Sequence, residues 1–209
     1  VMAHFPSTFR QIFEGKVEWS DFMPWYYLLK SIAITIPLLV IAGFFLFFVL
    51  IKKVKSDGSL VKYFLILFTI IFPVGFVVYE KSNLYSSWRQ FLFLYPAIVL
   101  IAASGFNFLF DYLLKVKYSV PCIVVFIVLM SVHPVKFMTA NNRYSYIYYN
   151  QLAGGLRGAY GNYETDYYYV SQTEASKWLI DYLKEKKDTG VVKIKATYSV
   201  SWQFRNHPE

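Results

Sequence analysis

Four long windows of the chain contain no Asp, Glu, Lys or Arg, and this feature restricts the fold more than any other. The windows are residues 31–51, 63–79, 90–110 and 118–135. Each has the roughly 17–25 residues that a helix needs to cross a hydrocarbon core about 30 Å thick. A helix also satisfies its own backbone polar groups, which lipid cannot do. The sequence therefore predicts an α-helical integral membrane protein with four transmembrane helices.

The basic residues are distributed unevenly between the short connections. The chain has 21 Lys and Arg against 13 Asp and Glu, a net charge of +8. Cytoplasmic loops of membrane proteins carry the excess of Lys and Arg. We therefore predict that the first and third connections are cytoplasmic and that both ends of the chain are extracytoplasmic, with membrane lipid and no nucleic acid as partner. The basic residues of these two connections are Lys52, Lys53, Lys55, Lys62, Lys115 and Lys117.

The composition divides the chain into three regions. Residues 1–30 mix charges with many aromatic side chains, which collect at the lipid headgroup level, so this segment is predicted to lie along the outer membrane surface. Residues 31–135 hold the four spans. Residues 136–209 form a polar tail domain. Each span contains a proline, and we expect kinks at Pro37, Pro73, Pro96 and Pro121.

The tail is predicted to be a small extracytoplasmic α/β domain that is truncated at Glu209. Residues 141–170 are rich in Tyr and Gly, which predicts a loop without regular helix. Ser171 and Glu174 have the spacing of a capping box, and apolar residues then recur at helical spacing. Residues 192–198 alternate between apolar and polar side chains and predict a strand.

Arg89 is the most interesting charged residue because it stands with Trp88 where the short outer loop enters the third span. A guanidinium at headgroup depth can hold a phosphate through two parallel hydrogen bonds. The alternative is an anchor that snorkels to the interface beside an interfacial Trp. The spans themselves carry no charge, which argues against a proton relay or an ion pathway.

Residues 88–96 read Trp-Arg-Gln-Phe-Leu-Phe-Leu-Tyr-Pro. This stretch resembles the Trp-Arg-His, aromatic run and Pro of polytopic glycosyltransferases of the GT-C class, in particular the protein O-mannosyltransferase-like group of glycosyltransferase family 39. Gln90 stands in place of the usual His, Tyr168 in place of a Trp, and Asn142-Arg143 in place of His-Pro. Further similar stretches are residues 13–16, 24–28, 35–37, 144–150, 154–155 and 165–168.

The resemblance implies an enzyme of the bacterial inner (plasma) membrane that transfers a sugar from a polyprenyl-phosphate donor to an acceptor on the outer face. A carboxylate base would deprotonate the acceptor hydroxyl, and a cation would stabilise the departing phosphate. The base of the family lies in an outer loop that this chain lacks. The chain would then be the C-terminal part of the enzyme, with no catalytic residue of its own and no activity alone.

The resemblance also implies the substrate-binding residues. Arg89 and Trp88 would contact the donor, and Asp166 with Tyr167 would contact a sugar hydroxyl. For Asp166 the alternative is a carboxylate satisfied by a Tyr hydroxyl or a turn amide. The excess of Tyr and Trp outside the spans is explained either by sugar stacking or by membrane anchoring, and His133 is expected to be interfacial.

A second interpretation belongs to another class of protein, a non-catalytic membrane subunit or a binding protein for lipid-linked sugar. The residues indicate no particular cofactor, sugar or acceptor. The single cysteine, Cys122, lies inside a predicted span, where we expect a small buried hydrophobe rather than a metal ligand or half of a disulfide.

The predicted topology is testable with cysteines introduced at Ser56 and Ser171. An impermeant thiol reagent added outside intact cells should label position 171 and leave position 56 unlabelled, because the Lys-rich first connection is predicted to be cytoplasmic. Labelling of position 56 alone would reverse the orientation.

Overall fold

The computed structural model of the chain describes residues 8–51, 59–114, 116, 118–166, 168–186, 193, 194 and 204. The chain divides into two compact units, Val1–Thr165 and Asp166–Glu209. The first unit holds a β-hairpin and the apolar helices. The second begins at Asp166, whereas the sequence places the start of the tail domain at residue 136.

The aromatic segment before the first span forms an antiparallel hairpin that the sequence analysis did not predict. Strands β1 (Arg10–Phe13) and β2 (Lys16–Trp19) pair with Arg10 opposite Trp19 and Phe13 opposite Lys16. Glu14 and Gly15 form the turn and have φ of 53° and 75°, as type I′ turns require. Gly adopts such a φ without strain. The Glu-Gly pair is a weaker turn signal than Asn-Gly, which explains why the hairpin was missed.

In the described part of the chain, three helices are long and apolar enough to cross a membrane. A bent pair of shorter helices makes a fourth span if the pair is counted as one. The bent pair replaces the predicted first span. Its second helix has 13 residues, about 20 Å at about 1.5 Å per residue, which is shorter than the hydrocarbon core. The helices are α1 (Tyr27–Thr35), α2 (Leu38–Leu50), α3 (Ser59–Tyr79), α4 (Leu94–Leu113) and α5 (Ser119–Ala140).

The break between α1 and α2 lies at Pro37 and bends the chain by 115°. Proline lacks the N–H that would continue the helix, and it pushes the preceding residue into an extended conformation. Ile36 is indeed extended, with φ of −89° and ψ of 150°. The kink predicted at Pro37 is therefore confirmed as a full break, and the predicted first span is divided between α1 and α2, which make a fourth span only if the bent pair counts as one.

Asn150 supplies the hydrogen bonds that the break removes. Its side-chain Nδ2 donates to the carbonyl oxygens of Ala33 and Ile36, each at 2.7 Å, and its backbone N–H donates to the carbonyl of Ile34 at 2.8 Å. Asn150 is fully buried, with 0% of its surface exposed. Asn150, which is 114 residues from Ile36 in the sequence, thus supplies the hydrogen bonds that the carboxyl end of α1 lacks.

Helices α2 and α4 approach each other closely at two glycines. A Cβ atom on Gly43 would lie 2.6 Å from the carbonyl oxygen of Ala102, and one on Gly105 would lie 2.7 Å from the backbone nitrogen of Phe47. Small residues that let backbones approach are typical of helix packing in membranes. Phe47 and Ile101, both fully buried, pack in the same core.

Helices α3 and α5 pack less extensively. Only 11% and 6% of their apolar windows are buried, against 33% for α4. Cys122 lies on α5 and is exposed, so the expectation that it is buried is wrong because most of this helix faces away from its neighbours. Pro96 and Pro121 lie in the first turns of α4 and α5, where proline costs no helical hydrogen bond, so no kink is needed there.

The segment after α5 contains more helix than predicted. It forms two 3₁₀ helices, Asn142–Ile147 and Gln151–Ala153, and one short helix, α6 (Gly155–Ala159). The prediction that glycines exclude regular helix from 141–170 is therefore wrong. Gly154 instead has a φ of 73° and ends the second 3₁₀ helix, which is a common use of glycine.

The second unit contains α7 (Ser171–Glu185), which confirms the helix predicted from residue 171. The predicted capping box is wrong, however, because Val170 is the N-cap residue and Ser171 already lies inside the helix. Most of the strand predicted at 192–198 lies outside the described residues.

Asn150→Ala should lower the free energy of unfolding by about 2–4 kcal/mol, because it leaves the carbonyls of Ala33 and Ile36 buried without a side-chain donor. Asn142→Ala, at an exposed position, is the matched control and should change stability by less than about 0.5 kcal/mol. Unfolding in detergent, followed by circular dichroism, measures both. Equal stability of the two variants would contradict the role assigned to Asn150.

Candidate functional site

Three segments that are distant in sequence meet at one end of the first unit. The side-chain Nε2 of Gln11 in the hairpin donates to the carbonyl of Leu84 at 2.7 Å. Phe13 forms a β-bridge with Tyr163, and the N–H of Gly15 donates to the carbonyl of Asn162 at 3.2 Å. This is the end that the charge distribution predicts to be extracytoplasmic.

A buried polar network fixes the loop that precedes Arg89. The Oε1 of Gln11 accepts hydrogen bonds from the Tyr27 hydroxyl at 3.0 Å and from the Ser86 N–H at 3.1 Å. The Tyr27 oxygen in turn accepts from the Ser87 N–H at 2.9 Å. Ser86 and Ser87 have φ of 56° and 60°. Residues other than glycine adopt this backbone conformation at a cost in free energy. The network holds this strained turn in place.

Trp88 is an anchor for the loop. It is buried, with 7% of its surface exposed. Its indole Nε1 donates to the Thr35 hydroxyl at the end of α1 at 2.6 Å, and its ring makes an edge contact with Tyr95 at 6.0 Å. Trp88, which is predicted to contact the donor, thus also holds the loop against α1.

Arg89 follows this anchor and begins a short 3₁₀ helix, Arg89–Phe91, that leads into α4. Its side chain is half-buried. The guanidinium carbon lies 5.6 Å from the centre of the Tyr85 ring, within the range of a cation–π contact. Arg89 thus stands on a fixed turn at the amino end of an apolar helix.

Glu164 is the acidic residue that the sequence analysis missed. It lines a small, open cleft of about 10 Å³, room for about one water molecule, together with Tyr27, Ser31, Ser87 and Tyr163. Burial raises the pKa of the Glu164 carboxyl, and the nearby positive charge of Arg89 opposes this effect. Its position next to the stretch 165–168, two residues before Asp166, is the sequence signal that could have pointed to it.

The other two predicted binding residues are Asp166 and Tyr167. Asp166 belongs to the second unit, where its carboxylate accepts hydrogen bonds from the N–H groups of Val170 at 3.1 Å and Ser171 at 3.2 Å and from the Ser171 hydroxyl. This is the turn-amide alternative considered above, and it stabilises the start of α7. Tyr167 lies outside the described residues.

An ion pair ties the hairpin to α1 next to this site. Lys30 pairs with Glu14, which also accepts a hydrogen bond from the Tyr26 hydroxyl at 3.3 Å. The hydrogen bond from Lys30 lowers the pKa of the Glu14 carboxyl. Glu14 and Glu164 are therefore two carboxyls at the same end of the unit whose pKa values shift in opposite directions.

The arrangement combines one guanidinium, one half-buried carboxyl and a cleft at the end of a group of apolar helices. It can bind an anion and hydrogen-bond to hydroxyl groups. Within the residues that the structure describes, no three His, Cys, Asp or Glu side chains are grouped as metal ligands would be. His133 contacts the Tyr148 hydroxyl through Nδ1 at 3.2 Å and is exposed near the end of α5.

Comparisons with known proteins give no independent identification. No protein family matches the sequence, and no curated protein and no solved structure is significantly similar to the chain. The functional argument therefore depends on the residues around Arg89 and Glu164.

Proposed function

We propose that this chain is the C-terminal part of a membrane glycosyltransferase that uses a polyprenyl-phosphate-linked sugar as donor and acts on the outer face of the bacterial plasma membrane. The observation that carries the proposal is the position of the Arg89 guanidinium. Arg89 stands on a fixed turn before α4, two residues after Ser87, which lines the same cleft as Glu164. The resemblance of residues 88–96 to GT-C enzymes supports the same function.

The three chemical parts of such a donor match three features of this end of the molecule. The polyprenyl chain is apolar, and α3 and α5 have largely exposed apolar surfaces. The phosphate is an anion, and Arg89 has a planar group of donors suited to phosphate oxygens. The sugar carries hydroxyls, and the cleft offers the polar groups of Ser87, Tyr163 and Glu164.

The proposed reaction is a displacement at the anomeric carbon of the donor sugar. An acceptor hydroxyl loses its proton to a carboxylate base, attacks the anomeric carbon and displaces the lipid phosphate. Arg89 would stabilise the negative charge that grows on the departing phosphate. The base belongs to a part of the protein outside this chain, so residues 1–209 alone are expected to be inactive.

A binding protein for lipid-linked sugar is the second candidate. It would use the same phosphate contact at Arg89 and would need no catalytic base, and the hydrogen bonds of Trp88 and Asp166 within the fold are compatible with it. Donor binding by the full-length protein without transfer to any acceptor would support this candidate.

Arg89→Lys in the full-length protein separates phosphate binding from membrane anchoring. Lys snorkels about as well as Arg but presents a point charge. If Arg89 holds the phosphate, membrane insertion should persist while turnover falls by about 10- to 100-fold, the roughly 1.5–3 kcal/mol of a charged hydrogen bond. Transfer of labelled sugar from a polyprenyl-phosphate donor in membranes measures the effect.

Arg157→Lys is the matched control, because Arg157 is exposed on α6 and lies outside the loop that leads into α4. It should leave turnover unchanged. Unchanged turnover in both variants would assign Arg89 to anchoring and would contradict the proposed phosphate contact.

A further inference from the structure

The two faces of the β-hairpin have different surroundings. In an antiparallel pair, residues that are directly opposite each other lie on the same face. Gln11 and Phe13 of β1 are buried, so their face packs against the rest of the first unit. The other face carries Val17 and Trp19 of β2, whose surfaces are 64% and 41% exposed. The hairpin therefore packs on the protein through one face only.

Strand β2 has the reverse of the pattern that a water-facing hairpin shows. Lys16 and Glu18 share the packed face with their partners in β1, whereas Val17 and Trp19 lie on the outward face. Antiparallel sheets with one face in water normally place apolar side chains on the packed face and polar ones outside. An exposed apolar face of this kind indicates an interaction surface.

Further exposed aromatic side chains lie between β2 and α1. Phe22 ends a short 3₁₀ helix, Ser20–Phe22, and Trp25 follows it, with 75% and 68% of their surfaces exposed. The guanidinium of Arg10 lies 4.7 Å from the centre of the Trp19 ring, a cation–π contact. Aromatic rings collect at the headgroup level of a bilayer, and Arg places its charge in the polar layer there while its stem lies on apolar surface.

Hydrogen bonds and ring contacts fix the depth of the hairpin relative to the apolar helices. Gln11 donates to the carbonyl of Leu84 at 2.7 Å, and the Phe9 ring lies 5.0 Å from the Tyr85 ring. Leu84 and Tyr85 belong to the loop that joins α3 to α4. When both helices cross a bilayer, this irregular loop must lie outside the hydrocarbon core. The hairpin that is tied to it is then at headgroup depth.

We propose that the outward face of the hairpin is a lipid-binding surface that inserts into the leaflet at this end of the helices. Val17, Trp19 and Phe22 would lie at the boundary between headgroups and acyl chains, with Arg10 at the depth of the lipid phosphates. Lipid is the occupant that explains both the reversed pattern of β2 and the depth of the hairpin. The packed face carries Phe13, which lines the cleft, so insertion holds the cleft at the membrane surface.

This surface is independent of the proposed sugar transfer, and nitroxide labels test it. Single cysteines are introduced as Val17→Cys and Lys16→Cys into the full-length protein, with Cys122 and any other native cysteine replaced by Ser, in phosphatidylcholine nanodiscs. Both positions are exposed and adjacent, but they lie on opposite faces of β2. The ratio of collisions with oxygen, which partitions into lipid, to collisions with a water-soluble nickel chelate should be several-fold higher at position 17 than at position 16.

Phe22→Cys and Asp21→Cys repeat the comparison outside the strand, and position 22 should show the higher ratio. All four side chains are exposed, so the labels replace no packed group. Equal ratios within each pair would mean that the outward face is in water and would overturn the proposal.

Protection of position 17 from both oxygen and the chelate would also overturn the proposal, because a protein partner would then cover the face. Dipolar broadening between labels at position 17 would identify that partner as a second copy of the chain. None of these outcomes bears on the phosphate contact proposed for Arg89, so the two proposals fail separately.

Discussion

A backbone carbonyl among apolar helices must find its hydrogen bond within the protein, and at Pro37 this requirement determines how the rest of the first unit is built. The proline ends α1 and leaves the carbonyls of Ala33, Ile34 and Ile36 without helical donors. Asn150 provides all three bonds from a segment that follows the last apolar helix. Because leaving such groups unpaired costs free energy, the bend and the docking of the 148–164 segment stabilise each other.

The bend also determines where the candidate site forms. It keeps α1 at one end of the unit, where Tyr27 meets Gln11 of the hairpin and Thr35 meets Trp88 of the loop. Residues of the hairpin, the loop and the 148–164 segment then line one cleft, among them Phe13, Ser87 and Glu164. Arg89 and Glu164 are 75 positions apart in the sequence, and hydrogen bonds of the hairpin, the loop and the 148–164 segment hold both of them in this part of the unit.

Local patterns in the sequence predict the helices but not the contacts between them. The charge-free windows predict α3, α4 and α5, and the helical spacing after residue 171 predicts α7, because hydropathy and periodicity depend on neighbouring residues. The bend at Pro37 is visible as a kink, but its size depends on Asn150, 114 residues from Ile36. Glu164 is an ordinary carboxyl in sequence, since its altered pKa is produced by burial and by Arg89. Asp166, which is predicted to contact a sugar hydroxyl, accepts hydrogen bonds from the N–H groups of Val170 and Ser171 at the start of α7.

The glycine contact between α2 and α4 has a mechanical consequence for the site. Helix α2 follows α1 after the break at Pro37, and α1 carries Tyr27 and Ser31. Helix α4 follows the turn that carries Arg89. With no side chain between the backbones at Gly43 and Gly105, the two helices can neither slide nor separate without losing that contact. The contact therefore limits relative movement of the two segments of the site, α1 and the turn before α4. The spacing between Arg89 and α1 is consequently fixed from inside the apolar region, well away from any polar group that would touch a ligand.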